Sequence, residues 1–314
     1  MRKDTVMSQA RVSHLRHVAV AVPDYDKQVD FYEGVWALKK VDTDGDVAYF
    51  AAEGSPEQYI LRIRAADEKR VDLISFGAAD AATVDTLASQ VEAAGARMVS
   101  EPGTLQTPGG GYGFRFFDPD GRTIEVSSDV ALRPFRILEM QESVPKKLSH
   151  VVVNSPNPQA IMEFYQETLG FRLSGWLGDW FGFLRCAPDF HTYAIVKGEH
   201  ANLHHISFEL RGYEEWMRGV GRLLGAEVPM PFGLGSHAPA GSSFAYFLDP
   251  NRNTSEYIIP QEQIVDDNKY EPPIWTNNVT DVWGTARSQN VPEAPGAGRH
   301  PGPVDPGLWV APPV

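Results

Sequence analysis

Two histidines and a glutamate have the types and spacing to do metal chemistry. His150 opens the stretch HVVV, His205 opens HISFEL 55 residues later, and Glu256 lies in NTSEYI a further 51 residues on. Each sits in a short apolar or β-branched run of the kind that forms a buried strand. Two neutral imidazoles and one carboxylate converging on one cavity cover one face of an octahedron. That 2-His-1-carboxylate set leaves open positions on a non-haem Fe(II) for a substrate and dioxygen. A single histidine among apolar neighbours is more often an ordinary core or surface residue than a ligand, so the assignment depends on what positions the three.

What positions them is a duplication. The segment LRHVAVAVPDYDKQVDFYEGVWAL from Leu15 aligns with LSHVVVNSPNPQAIMEFYQETLGF from Leu148, an offset of 133 that puts His17 on His150. The blocks around Ile74 and Ile206, and around Asp118 and Asp249, keep the register at offsets of 132 and 131. Two tandem copies follow, at 12–132 and 145–262, joined by a linker at 133–147. Each copy halves again into a strand, a helix and three strands. In ATVDTLASQVEAAG, Val84, Leu87, Val91 and Ala94 recur on one helical face and Gly95 supplies a stop. The expected fold class is therefore α+β: two tandem domains, each of paired βαβββ modules curling a mixed sheet around a cavity. In the first copy the equivalents of the three donors are His17, Leu73 and Glu125. Leucine cannot ligate, so that domain is expected to be metal-free. Residues 263–314 are rich in Pro and Gly and read as an arm, partly disordered towards its end, with Trp275, Trp283 and Trp309 as anchors.

Composition narrows the partners. A formal net charge of −13 and a pI near 5.1 argue against a phosphate-tracking surface, hence no nucleic acid. No apolar run approaches the ~18 residues of a membrane helix, and MRKDTVMSQARVSHLRH has no signal-peptide core, so no membrane is involved and a cytoplasmic location is expected. The single cysteine, Cys186, rules out an intrachain disulfide and a multi-cysteine metal site.

The block LHHISFEL with a downstream YFLDPNRNTSEY resembles the signature of type I extradiol, catechol-cleaving dioxygenases of the vicinal oxygen chelate superfamily, over about 12–262. The resemblance implies Fe(II), with Mn(II) possible, on His150, His205 and Glu256 in the C-terminal domain. It also implies O2 as co-substrate, a small catecholic substrate opened by meta cleavage, and a homo-oligomer. Of the His204–His205 pair, His205 is favoured because it directly precedes ISF, as His150 precedes VVV. Three further residues match the family's catalytic positions: His191, 14 before His205, and His237 and Tyr246, 19 and 10 before Glu256. His191 takes the acid–base role over the dioxygen site, and the other two donate hydrogen bonds to substrate oxygens.

Departures also matter. Homoprotocatechuate-cleaving relatives carry an arginine and an asparagine where this chain has Phe232 and Val152, which argues against that substrate and leaves Arg185 or the arm to hold any other anion. The aromatic stretch with Trp176, Trp180, Phe181 and Phe183 is expected either to line a pocket for a ring or to pack as core. Two rival readings keep the fold: a metal-dependent glyoxalase-like lyase or isomerase, and a metal-free protein that binds an aromatic ligand.

Overall fold

The first βαβββ unit comprises β1 (His14–Val22), α1 (Tyr25–Glu33), β2 (Lys39–Asp44), β3 (Val47–Ala51) and β4 (Leu61–Ala65). The second comprises β5 (Arg70–Gly77), α2 (Ala81–Ala93), β6 (Met98–Thr104), β7 (Tyr112–Phe117) and β8 (Thr123–Ser128). The third comprises β9 (Lys147–Ser155), α3 (Pro158–Leu169), β10 (Arg172–Leu177), β11 (Phe181–Arg185) and β12 (Tyr193–Lys197). The fourth comprises β13 (Asn202–Glu209), α4 (Tyr213–Gly225), β14 (Met230–Ser236), β15 (Ser243–Leu248) and β16 (Thr254–Ile258). Two short strands, β17 (Ile274–Trp275) and β18 (Arg287–Gln289), follow. The structure, a computed structural model, describes residues 10–276, 280–291 and 303–313. The opening segment 1–9, and 277–279, 292–302 and 314 of the expected arm, lie outside the described residues.

The chain is thus an α+β fold with two mixed sheets. Their strand orders are β2-β3-β4-β1-β5-β8-β7-β6 and β17-β10-β11-β12-β9-β13-β16-β15-β14-β18. Local chemistry sets the helix ends. Asp80 accepts the Thr83 N–H at 2.8 Å, while α3 starts with Asn157 and Pro158 and stops at Gly170 in the left-handed region. On α2 the buried face is Val84, Leu87, Ala88 and Val91. Ala94 instead caps the helix and is exposed, a correction that follows from the helix ending at Ala93, one residue before it.

Strand alternation gives each sheet two different faces. On the convex side, Val151, Val153, Ile206, Phe208 and Tyr257 join one hydrophobic core that spans both domains. Trp36, just after α1, is fully buried with its ring 4.1 Å from Tyr257 and 5.5 Å from Phe208. At the pseudo-symmetric junction Phe76 meets Tyr165 and Tyr193. Polar links cross as well: the Tyr165 hydroxyl donates to Asp118 at 3.1 Å, and Gln28 and Tyr32 donate to Asp249. The first unit therefore packs on the fourth and the second on the third. Residues 303–313 return to the first domain, where the Trp309 N–H donates to the Gly121 carbonyl and its ring lies 5.5 Å from Phe117.

Trp36→Ala should cost about 3–5 kcal/mol, because the cavity opens in a core shared by both domains. The test is urea unfolding followed by tryptophan fluorescence and far-UV dichroism. A single transition at a lower midpoint is expected, whereas separation into two would contradict a shared core.

Candidate metal centre

On the concave face the same alternation turns a different set of side chains inward. Ser207 of β13 pairs with His150 of β9 on one side and with Glu256 of β16 on the other, so these three form one row across adjacent strands. His205 lies one side-chain repeat along β13, on the same face. The His150 and His205 Nε2 atoms are 3.1 Å apart, and Glu256 Oε2 lies 3.1 Å from the first and 3.5 Å from the second. All three residues are buried, and among the described residues they are the cluster able to hold a metal ion. Donors on one ion at bonds of about 2.1 Å are separated by ~3.0 Å in adjacent octahedral positions and ~3.4 Å in tetrahedral ones. The separations fit a single divalent ion.

The charge balance fits too. Both Glu256 carboxylate oxygens are buried without a hydrogen-bond donor in good geometry, as is the Ser207 hydroxyl. Burial alone would raise the Glu256 pKa, but the imidazoles of His150, His205 and His237 around it outweigh burial and hold it well below the usual carboxylate range. Burial lowers His205, with Glu256 opposing, so its ring is neutral and can act as a donor. The outer nitrogens are also engaged. His150 Nδ1 lies 3.2 Å from Ser149 Oγ, and His205 Nδ1 lies 2.7 Å from His204 Nδ1. With those positions carrying or sharing protons, both Nε2 lone pairs point at the cluster.

The three second-rank residues are gathered at the same place. His191, just before β12, has its ring 4.0 Å from that of His150 and a buried Nδ1 with no partner. Burial first, then His150, pushes its pKa well below the ordinary histidine value. Tyr246 of β15 pairs across the strands with Glu256, and its ring lies 5.1 Å from His205. Burial, then the Glu256 charge, raises its pKa, so it stays a phenol. His237, in the turn after β14, stacks on Phe244 and has Nε2 3.0 Å from the Tyr246 hydroxyl. Its Nδ1 lies 2.6 Å from the Thr280 carbonyl, which can only accept, so Nδ1 holds the proton and Nε2 can accept from Tyr246.

Two positioning groups were not anticipated from sequence. Gln261 accepts the His191 N–H at 3.0 Å and donates to the His191 carbonyl and to Ser149 Oγ, which ties the His191 segment to the ring support of His150. Thr280 reaches His237 from the arm. Neither belongs to a repeated block, and no sequence signal marks either. One alternative is resolved and one expectation needs correction. Trp176 packs with the core on the opposite face, against Gly182 and Met162, because strand alternation turns it away from Phe181 and Phe183. Among the described residues the Arg185 charge is paired: its guanidinium donates through Nη1 to Ser174 Oγ and the Leu173 carbonyl and through Nη2 to Asp267, and packs over Tyr270, with only the buried Nε left without a partner.

In the first domain the equivalent row is filled differently. Ser75 pairs with His17 and Glu125, as Ser207 does with His150 and Glu256, and Leu73 occupies the His205 place. Arg115, in the register position of Tyr246, places its guanidinium 2.8 Å from Glu125, and the Ser75 hydroxyl donates to the other carboxylate oxygen at 2.9 Å. The carboxylate is already neutralised. Leu73→His alone should therefore leave metal content by plasma mass spectrometry unchanged. A second equivalent of metal per chain would show that Arg115 does not block the site.

Burial also lowers His17, with Arg16, Arg62 and Arg115 adding to the effect. His17, His191 and His205 thus stay neutral when folded but take up protons once unfolded. Their contribution to stability is complete above an unfolded pKa of about 6.5 and is lost as pH falls, by about 1.4 kcal/mol per pH unit for each histidine. Urea midpoints of the chelator-treated chain should drop between about pH 7.5 and 5.5. A flat profile would contradict neutral burial.

Comparison with known proteins identifies the family. Residues 14–126 and 147–257 each match the Glyoxalase/Bleomycin resistance protein/Dioxygenase superfamily. A Mn(II)-bound glyoxalase from Novosphingobium aromaticivorans is 39% identical, with a TM-score of 0.88 over 95% of this chain and 97% of that one. The manganese-dependent 2,3-dihydroxybiphenyl 1,2-dioxygenase of Geobacillus genomosp. 3 is 25% identical over 85% of this chain and 90% of its own length. Metapyrocatechase 2 of Cupriavidus necator is 27% identical over 78% and 80% respectively. With both of its sheets matched and most of its length aligned, the chain belongs to the Glyoxalase/Bleomycin resistance protein/Dioxygenase superfamily.

Proposed function

We propose that this chain is a metal-dependent extradiol dioxygenase that inserts O2 into a catechol by meta cleavage and yields a ring-opened hydroxymuconic semialdehyde-type product. Relatives named as dioxygenases of this kind align over most of its length, which supports an enzyme of that type. We assign the metal to the C-terminal domain, 145–262, with His150, His205 and Glu256 as ligands of Fe(II) or Mn(II). The domain at 12–132 is then a metal-free scaffold and 263–314 an arm. What carries the reading is the set of three buried donors, two imidazoles and a carboxylate, 3.1–3.5 Å apart, with both carboxylate oxygens lacking a hydrogen-bond donor in good geometry among the described residues.

When bound, the ion supplies open positions where diol and dioxygen meet and a redox centre between them. The protein's own groups handle protons and orientation. His191 enters the reaction neutral, and its ring, stacked close to that of His150, can accept a proton from a catechol hydroxyl and return it later. Tyr246 remains protonated and offers its O–H to a substrate oxygen, with His237 Nε2 as its resting partner. Gln261 and Ser149 hold the His191 backbone and the His150 ring in place.

We also infer that the chain works in the cytoplasm as a homo-oligomer without nucleic-acid or membrane partners. No described helix is long and apolar enough to cross a membrane, the net charge of −13 disfavours phosphate backbones, and Phe135, Ile137 and Met140 stand exposed along the linker. A second reading has one specific observation behind it, the Mn(II)-bound glyoxalase at 39% identity. Glyoxalase-type isomerisation uses the metal as a Lewis acid and needs no oxygen.

Anaerobic reconstitution with Fe(II) or Mn(II), followed by oxygen uptake and absorbance with a catechol panel, separates these readings. Uptake of one O2 per catechol with a yellow product is the expected result, and stoichiometric metal without oxygen uptake across the panel would favour the isomerase. His205→Ala should lose the metal, whereas His191→Ala should keep it and slow turnover by ~10²-fold or more, the usual size of a general acid–base contribution. Equal metal loss in both variants would overturn the division of roles.

A further inference from the structure

The first domain carries an unmatched charge of its own. Arg16, Arg62 and Arg115 are all buried in it. Arg16 pairs with Glu57 at 2.9 Å and Arg115 with Glu125 at 2.8 Å. Arg62 of β4 is only 1% exposed, and among the described residues no carboxylate pairs with it. Its Nη2 donates to the Pro313 carbonyl at 3.1 Å, a neutral acceptor. Its Nε and Nη1 are buried without a hydrogen-bond partner in good geometry, with the Tyr49 hydroxyl as the neighbouring polar group. Asp305, the one acid among residues 303–313, accepts instead from the Val71 and Gly307 N–H groups. A guanidinium in such a place is costly unless an anion joins it.

Strand register and electrostatics put this guanidinium beside a cavity. Arg62 pairs with Tyr49 on one side and Ala19 on the other, and Ala19 pairs with Leu73, so Arg62 shares the concave face with Leu73. His17 lies one side-chain repeat before Ala19 on that face. The Arg62 charge acts on both His17 and Tyr59, whose rings are 4.4 Å apart. These two line a small cavity together with Thr107, Glu57 and Glu125, and its rim at Pro108 and Val130 is half-buried. His17 Nδ1 is buried there with no partner. In the second domain Ala194 and Phe183 hold the registers of Arg62 and Tyr49, so the charge is not part of the shared scaffold.

With Glu57 and Glu125 already balanced by Arg16 and Arg115, this face holds one surplus positive charge. A single negative charge matches it, whereas a dianion would leave an excess beside two carboxylates. The planar fork of arginine suits a carboxylate, and the neutral His17 ring and the hydroxyls of Tyr49, Tyr59 and Thr107 can hydrogen-bond what lies next to it. The small cavity favours a short chain. We propose that the concave cavity of the first domain is a binding site for a short-chain monocarboxylate, held by Arg62 with His17 and Tyr59 beside it. The site is separate from the metal centre and does not depend on the catechol reading.

The test is calorimetric titration with acetate, acetamide and inorganic phosphate, in a buffer free of carboxylates, of the metal-loaded chain and of Arg62→Met, Arg62→Lys and His205→Ala. Acetate should bind the unaltered chain, and Arg62→Met should weaken that binding by ~10-fold or more, the usual weight of a charge-assisted hydrogen bond. Acetamide, which has the shape without the charge, and phosphate should both bind more weakly than acetate. His205→Ala, which gives up the metal, should bind acetate as before.

No acetate binding, or acetate binding that survives Arg62→Met, would overturn the site. Binding that disappears in His205→Ala would place the acetate on the metal and overturn it as well. Phosphate binding as tight as that of acetate would overturn the monocarboxylate class. Acetate should also raise the urea midpoint of the unaltered chain and leave that of Arg62→Met unmoved. If Arg62→Met does not fold, Arg62→Lys, which keeps the charge and loses the fork, takes its place, and acetate binding as tight as in the unaltered chain would overturn the role of Arg62.

Discussion

A carboxylate buried on the concave face of each sheet must be given a counter-charge, and the two domains meet that demand in opposite ways. Glu125 and Glu256 occupy equivalent positions and are almost wholly buried. An isolated charge in such a place is too costly to keep, so it must be paired, neutralised or bound to metal. In the first domain Arg115 and Ser75 satisfy Glu125 from within the chain. In the second domain tyrosine replaces that arginine and His205 replaces Leu73, which leaves Glu256 among imidazoles with both oxygens unsatisfied. Duplication has thus produced one carboxylate neutralised from within the chain and one left among imidazoles able to share a metal ion.

The two-faced strands explain why such a site can be rigid. His150, His205 and Glu256 alternate with Val151, Ile206 and Tyr257, which are locked into the core shared by both domains. A shift of one residue in register would exchange donors and core together, so the hydrophobic packing that stabilises the protein also fixes the donor geometry. The groups placed on loops lack that protection and are pinned separately. Gln261 grips the His191 backbone at both ends, and the Thr280 carbonyl holds His237.

Much of this was legible in the sequence because the repeat supplies its own control. The offsets of 133, 132 and 131 carry His17, Leu73 and Glu125 onto the three donors, and the strand registers align the same pairs. The role of Arg115 was not legible, because an arginine within YGFRFF reads as a surface residue until pairing sets it opposite Glu125. Trp176 stayed open between pocket and core for a related reason. Its spacing from Phe181 spans the turn between β10 and β11, so the parity that relates Phe181 to Phe183 does not extend to it. Arg185 does share that parity, but Asp267, 82 residues further on, takes its charge, and long-range pairing of that kind has no local pattern.

The arm shows how a segment without periodicity can still be ordered and matter to chemistry. Its backbone has few ladder partners of its own, so its polar groups find partners on the domain beneath it. Asp281 accepts the N–H groups of Trp283 and Ala286 within the arm and of Ser236 at the end of β14. That knot, continued by β18 against β14, holds the neighbouring Thr280 carbonyl on His237. A proton kept on Nδ1 leaves Nε2 as the acceptor for Tyr246, and the phenol is thereby oriented beside Glu256. The hydrogen-bond polarity at the centre is therefore set partly from outside the repeated fold. Two copies of one module can share a scaffold and still differ in chemistry when an appended segment completes only one of them.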